Sequence, residues 1–396
     1  MTEKRSQKSA SFNVLKVTLL GIVIAGIIME LFLRVVELTP LWKFLPVAEV
    51  ALYGPDPDTS YTIRPGVQGV WLQENRARIS TSSQGLRDNH TPYKKPHGEF
   101  RIAMSGDSIT EALQVDQDTV FSEILEAKFN ATNKPVEVLN LGMSGANAVV
   151  QFVRMKSKGI SFSPDAMVYI FNINDFVSNG IMQDNVFPGF RKKEDGQWVL
   201  SHSFRDNKGY KFRQSAAGQF YYFLLDNLRL ARILNSRKNQ GLNLNVFNKH
   251  ASEPSGCIIK PYEELVQQLQ GLTESEKKQV IELLMREISV LSENSKAQAA
   301  IIMRGLEAEC EGQSDFKESL RNFFKSVASR NAILFFDIDK AVREYVESNN
   351  AIQHKRELYG FADRIGYGHL NPTGLEAYAF VIHNFLMSYF STELTK

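Results

Sequence analysis

Apolar positions along the chain fall into two regimes. Over residues 12–36, FNVLKVTLLGIVIAGIIMELFLRVV, they run together, with no charge between Lys16 and Glu30. The 13 residues from Val17 to Met29 match the apolar region of a secretory signal, because a full membrane span takes about 20 residues. Leu31, Phe32, Leu33, Val35 and Val36 extend the stretch, and Lys16 and Arg34 can carry their charges toward two interfaces. Glu30 fits a lipid environment poorly. Beyond residue 100 the apolar positions come instead in short runs, Arg101–Met104, Val136–Leu139, Ala166–Phe171, Ala299–Met303 and Ile333–Phe336, each predicted to be a strand. Helical spacing lies between them: Val120, Ile124, Leu125 and Phe129 within Thr119–Phe129, then Ala146–Lys158, Phe316–Ser329 and, opened by Pro-Thr-Gly, Pro372–Tyr389. Nearly all-apolar strands alternating with amphipathic helices predict an α/β fold whose parallel sheet is covered on both faces.

Two intervals break this rhythm. Residues 40–96 are rich in Pro, Gly, Asp, Ser and Thr, with alternation only at Val70-Trp71-Leu72 and Ala77-Arg78-Ile79, which predicts a small β lead-in of structural role. Residues 176–273 read as an insertion after the third strand, with a hairpin around Glu194-Asp195-Gly196 and a helix over FYYFLLDNLRLARIL. An insertion at a strand's carboxyl end is placed to shape a substrate pocket.

Composition narrows the function. The 396 residues carry 46 Lys and Arg against 44 Asp and Glu, too even a balance for a nucleic-acid partner. A mean hydropathy of −0.23 excludes a polytopic membrane protein but admits one span. Lys4, Arg5 and Lys8 precede that segment against Glu3 alone, a basic flank that stays cytoplasmic and sends the rest of the chain out. Bulky Met29, Glu30, Leu31 and Phe32 offer no small-residue cleavage site, so an uncleaved signal-anchor ranks ahead of a cleaved signal, and both ahead of a buried helix. Cys257 and Cys310 could pair after export or stand as unrelated thiols. Neither has a second Cys or a His at ligand spacing, so no zinc site is expected. Phosphate-cradling loops of the Gly-x-x-x-x-Gly-Lys-Ser/Thr or Gly-x-Gly-x-x-Gly type are missing too, and no cofactor is expected.

Four polar clusters fall where strands end or the last helix begins: Gly106-Asp107-Ser108, Asn140-Leu141-Gly142-Met143-Ser144-Gly145, Asn172-Ile173-Asn174-Asp175 and His369-Leu370-Asn371-Pro372. Reactive groups of an open parallel sheet gather at that edge. A serine hydroxyl is a weak nucleophile until a base takes its proton, and the oxyanion that follows needs donors held in place. Asp107 and Asp175 read as loop-supporting carboxylates, and Asp337 and Asp339 as structural ones, with orienting the base as the alternative role of the second pair.

In these four blocks the chain resembles the SGNH/GDSL family of serine hydrolases. The resemblance spans roughly Arg101 to Phe385 and implies a flavodoxin-like three-layer α/β/α sandwich acting on esters. It implies Ser108 as nucleophile, His369 as base, and an oxyanion hole of the Ser108 N–H, the Gly145 N–H (Gly142 being the weaker choice) and the Asn174 side chain. Two positions depart from the family's pattern. Asn172 stands where the third block has glycine, and Gly366 stands where the family's Asp-x-x-His has its acid. Asp363 is then the nearest carboxylate, able to reach His369 through the glycines between them; otherwise a Ser-His dyad or a backbone carbonyl orients the ring.

The organisation that follows is a basic cytoplasmic tail (1–11), a transmembrane signal-anchor (12–36), a lead-in (37–99) and an SGNH-like domain (100–396). The Gly85-Leu86-Arg87 region and the anchor resemble a membrane-attached bacterial branch more weakly. They imply a catalytic domain on the outer side of the cytoplasmic membrane, acting on an O-acyl ester of envelope carbohydrate or lipid. An O-acyltransferase using the same residues, and a catalytically silent envelope binding protein, are the alternatives.

Overall fold

The computed structural model describes residues 2–39, 51–89, 91–131, 135–176, 184–236, 274–306, 314–349 and 351–395. The chain divides into two compact units, Met1–Ala51 with Ala216–Ser252, and Leu52–Ser215 with Glu253–Lys396.

The larger unit begins with two antiparallel hairpins, β1 (Tyr53–Asp56) with β2 (Ser60–Ile63) and β3 (Gln68–Trp71) with β4 (Ala77–Ser80). Three strands follow, β5 (Phe100–Gly106), β6 (Val136–Asn140) and β7 (Ala166–Asn172). After the β8 (Gly189–Lys192) and β9 (Trp198–Ser201) hairpin come β10 (Gln298–Arg304) and β11 (Leu334–Asp337). The core sheet has five strands in the order β11-β10-β7-β5-β6, and every pair in it is parallel. This is the doubly wound order expected of a flavodoxin-like sandwich, and the direction of winding reverses between β5 and β7. A crevice opens at such a reversal beyond the strands' carboxyl ends.

The two-residue period of the strands decides which helices cover which face. Ile102, Met104, Val138, Val168, Ile170 and Ile302 point to the side covered by α3 (Phe121–Asn130) and helices Ile338–Ser348 and Pro372–Thr395. Ala103, Leu139, Met167, Tyr169, Ile301 and Met303 point to the side covered by α4 (Ala148–Ser157) and helices Glu274–Ser295 and Ser314–Arg330. These side chains are at most 2% exposed, and each large one contributes about 1.5–3 kcal/mol by leaving water. Helices Glu274–Ser295 and Ile338–Ser348 were not among those predicted from spacing; Val280, Leu284, Ile288 and Leu291 form the buried stripe of the first. The helix predicted from Thr119 starts as a 3-10 turn, Gln117–Thr119, because Val120 is extended and α3 begins after it.

The smaller unit holds one continuous helix, α1 (Thr2–Glu37), which includes the basic tail. Val14–Glu37 is 24 residues long and apolar enough to cross a membrane, or about 36 Å of helix against an apolar thickness of about 30 Å. Part of the insertion belongs to this unit, α6 (Ala216–Asn227) and a helix over 229–236, whereas its hairpin β8-β9 belongs to the larger one. Cys257 and Cys310 lie outside the described residues.

Candidate active site

Strand β5 delivers Ser108 to the crevice. A Cβ at Gly106 would come within 1.9 Å of Thr110 Oγ1, so only glycine allows the sharp exit from the strand. Asp107 then caps the short helix Ser108–Glu111, accepting the Ile109 N–H at 2.9 Å, and faces Arg304 at the end of β10 at 3.3 Å. Ser108 Oγ lies 2.8 Å from His369 Nε2. The histidine sits in the loop before helix Pro372–Thr395, 261 residues away in sequence.

The far nitrogen of that ring meets a residue from the lead-in. Glu74 Oε1 lies 2.8 Å from His369 Nδ1, and Glu74 Oε2 accepts the His369 N–H at 3.0 Å. A carboxylate there keeps the proton on Nδ1, which leaves the Nε2 lone pair for the serine hydroxyl. Asp363, assigned to this place from sequence, is instead exposed in the 3-10 turn Ala362–Arg364. The physical reason is at Gly368. Its left-handed φ of +89° turns the loop, and a Cβ on it would fall 2.6 Å from Glu74 Oε2, so the gap between loop and hairpin is filled by Glu74. Burial opposes ionisation of Glu74, but its bonds to His369 outweigh that and hold its carboxyl below the ordinary value.

The lead-in thus contributes a side chain to the candidate site. Glu74 occupies the β3-β4 turn in left-handed backbone conformation (φ 64°), uncommon for a residue with a Cβ. Asn75 Nδ2 donates to Gln114 O at 2.8 Å, and Arg78 N to Asp116 Oδ1 at 2.6 Å, so the hairpin is bolted to the segment that follows Ser108. Arg87, singled out with Gly85 and Leu86, is fully buried and donates to Val115 O at 2.8 Å in the same segment.

The second block forms a braced loop after β6. Gly142 donates its N–H to Asn140 Oδ1 at 2.9 Å, so that group is spent. Gly145 has a left-handed φ of +77°, and among the described residues no acceptor takes its N–H or that of Ser108. Ser144, just before it, is gripped from two sides. Glu111 Oε2 accepts the Ser144 N–H at 2.7 Å, the Ser144 hydroxyl and the Tyr53 hydroxyl, the last at 2.6 Å, while Tyr61 Oη donates to Ser144 O. Burial pushes the Glu111 carboxyl up despite these bonds. Arg154 on α4 ties the same loop to hairpin β1-β2, donating to Leu141 O at 2.8 Å and Thr62 Oγ1 at 2.7 Å.

The third block ends β7. Asn172 Oδ1 accepts the Asn174 N–H at 2.9 Å, and the Asn174 side chain is exposed at the carboxyl edge of the sheet. The side chain at 172, where the family pattern has none, thus folds the turn that presents Asn174. Asp175 is buried and supports this turn, accepting from the Asn172 N–H at 2.8 Å and from Gln151 Nε2 at 2.9 Å; burial and then neighbouring Asp107 push its carboxyl well up. Asp337 caps helix Ile338–Ser348 and Asp339 accepts the Leu306 N–H at 2.9 Å, both supporting roles. Among the described residues no three His, Cys, Asp or Glu side chains are grouped to hold a metal ion.

No protein-family model matches this chain, and no curated protein matches it. Solved structures similar to it include TesA, at 11% identity and a TM-score of 0.38, over 73% of this chain and 98% of that one. LAE5, an α/β hydrolase from the metagenome of Lake Arreo, is 14% identical with a TM-score of 0.38, over 77% of this chain and 99% of that one. Axe2, an acetylxylan esterase from Geobacillus stearothermophilus, is 14% identical with a TM-score of 0.36, over 75% and 94%. At such identity, function has to be read from the site's own geometry.

Proposed function

We propose that the chain is a membrane-anchored serine ester hydrolase in which Ser108, His369 and Glu74 work as nucleophile, base and orienting acid. The observation that carries this reading is the unbroken relay of two 2.8 Å contacts from Glu74 through His369 to Ser108. His369 takes the Oγ proton as Ser108 attacks the acyl carbon, and the imidazolium that forms is stabilised by Glu74. The oxyanion is held by the N–H groups of Ser108 and Gly145 and by the Asn174 amide. His369 then protonates the departing alcohol, and activates the water that releases the acid from the acyl-enzyme. A silent binding role draws on Gly366 and Asn172, which stand where the family has an acid and a glycine; Glu74 beside His369 and the Asn172 bond to the Asn174 N–H weigh against it. Residues 14–37 anchor the enzyme, with the site on the outer face of the membrane, where O-acylated envelope carbohydrate or lipid is the substrate class. The direct test is a fluorophosphonate probe and an activated acetyl ester: labelling confined to Ser108 with ester turnover is expected, and folded protein that neither labels nor turns over would sink the proposal.

Two further results follow from the bracing. Tyr61→Phe keeps the ring but removes the donor to Ser144 O, so the Gly145 N–H loses its fixed aim. A fall in kcat of roughly 10- to 100-fold with little change in KM is expected in steady-state kinetics, and an unchanged kcat would show the brace to be idle. Glu74 sets a dependence of stability on pH. Its folded-state ionisation lies below the unfolded one, so its contribution is complete above the unfolded carboxylate range and is lost as pH falls through the folded value. Thermal unfolding midpoints measured down through acid pH should decline more steeply for the parent than for Glu74→Gln.

A further inference from the structure

The charges that fit a membrane span poorly are used at the lower end of α1. Glu30 and Arg34 pair at 3.0 Å and meet the break between α6 and the helix over 229–236. Arg34 Nη2 donates to Asn227 O, the carbonyl end of α6, at 2.7 Å. Glu30 Oε2 accepts the Leu230 N–H, at the amino end of the next helix, at 3.2 Å. Each charge thus faces the helix end whose dipole it complements. Glu37 adds an ion pair with Arg229 at 2.6 Å, and the buried Leu33 and Val36 of α1 pack on Leu230 and Ile233. The two insertion helices are therefore locked to the last two turns of the candidate span.

From that position they turn apolar and aromatic side chains outward. Phe220 and Phe223 are 59% and 57% exposed, Leu234 64%, and Tyr221 and Leu228 more than a third. The Phe220 and Phe223 rings lie nearly parallel, 6.2 Å apart. Such surface is costly in water, whereas aromatic side chains are enriched at the boundary between lipid headgroups and acyl chains. We infer that α6 and the helix over 229–236 lie in the membrane interface beside α1, with Phe220, Tyr221 and Phe223 seated in the lipid, and form a second membrane contact drawn from the insertion. The occupant is set by continuity: the face is fastened at the level where the span leaves the hydrocarbon. This rests on the reading of α1 as a span.

The test places single tryptophans in the full chain in phospholipid nanodiscs, with and without acyl-brominated lipid: Ile24→Trp in the span, and Phe220→Trp and Phe223→Trp on the aromatic face. The added emission of all three, relative to the parent chain, is expected to be blue-shifted and lost in brominated lipid. If Ile24→Trp is quenched while both aromatic-face variants emit as in water, or are blue-shifted but unquenched as in a contact with a second copy, the interfacial contact is overturned and the span stands. An unquenched Ile24→Trp overturns the span and the inference together.

Discussion

Ser108→Ala is expected to lower turnover of an activated acyl ester by about 10⁶-fold, to the level left by the oxyanion donors and binding alone. It should abolish fluorophosphonate labelling. The hydroxyl makes one contact of note, to His369 at 2.8 Å, so unfolding temperature should barely move, and the loss can be charged to chemistry. With Ser108, His369 and Glu74 acting as the proposed unit, adding Glu74→Gln to Ser108→Ala should cost almost nothing more. A Ser108→Ala enzyme that keeps its turnover would mean that another nucleophile is at work.

The second large effect separates two carboxylates. Glu74→Gln is expected to reduce kcat by roughly 10³- to 10⁴-fold, because an amide next to His369 Nδ1 can donate a hydrogen bond and favour the tautomer with its proton on Nε2. That tautomer cannot accept from Ser108. Asp363→Asn, on an exposed turn, should leave kcat unchanged. Steady-state kinetics on the two variants decides the matter: a loss at Asp363 with none at Glu74 would reverse the assignment.

The sheet was legible in the sequence because β5, β7 and β10 are buried on both faces and so read as unbroken apolar runs. Ser108 and His369 were legible because each sits in a compact block at an element's end. Glu74 was not. It lies 295 residues from His369, on a hairpin turn of Gln73-Glu74-Asn75 that looks like any solvated turn, and no spacing rule connects the two. The visible hint was negative: Gly366 stands where the family has an acid near the base, and Gly368 leaves room for a side chain from elsewhere. Likewise Glu111 follows Ser108 as an inconspicuous helix residue, and only its burial against Tyr53 and Ser144 shows that it supports the loop after β6. Helix Glu274–Ser295 escaped because its charged face outweighs a narrow apolar stripe.

In the proposed mechanism the distance in sequence between Glu74 and His369 also sets when the hydroxyl becomes reactive. The acid leaves the ribosome 295 residues before the base, with both halves of the sheet and the whole insertion between them. Closing a loop of that length costs little more entropy than closing one half as long, about 0.6 kcal/mol per doubling, but it needs both the β3-β4 hairpin and the loop before helix Pro372–Thr395 in place. Until then Ser108 is an ordinary alcohol. On the proposed mechanism a half-made chain carries no activated serine, and nucleophilicity is conferred by completion of the fold.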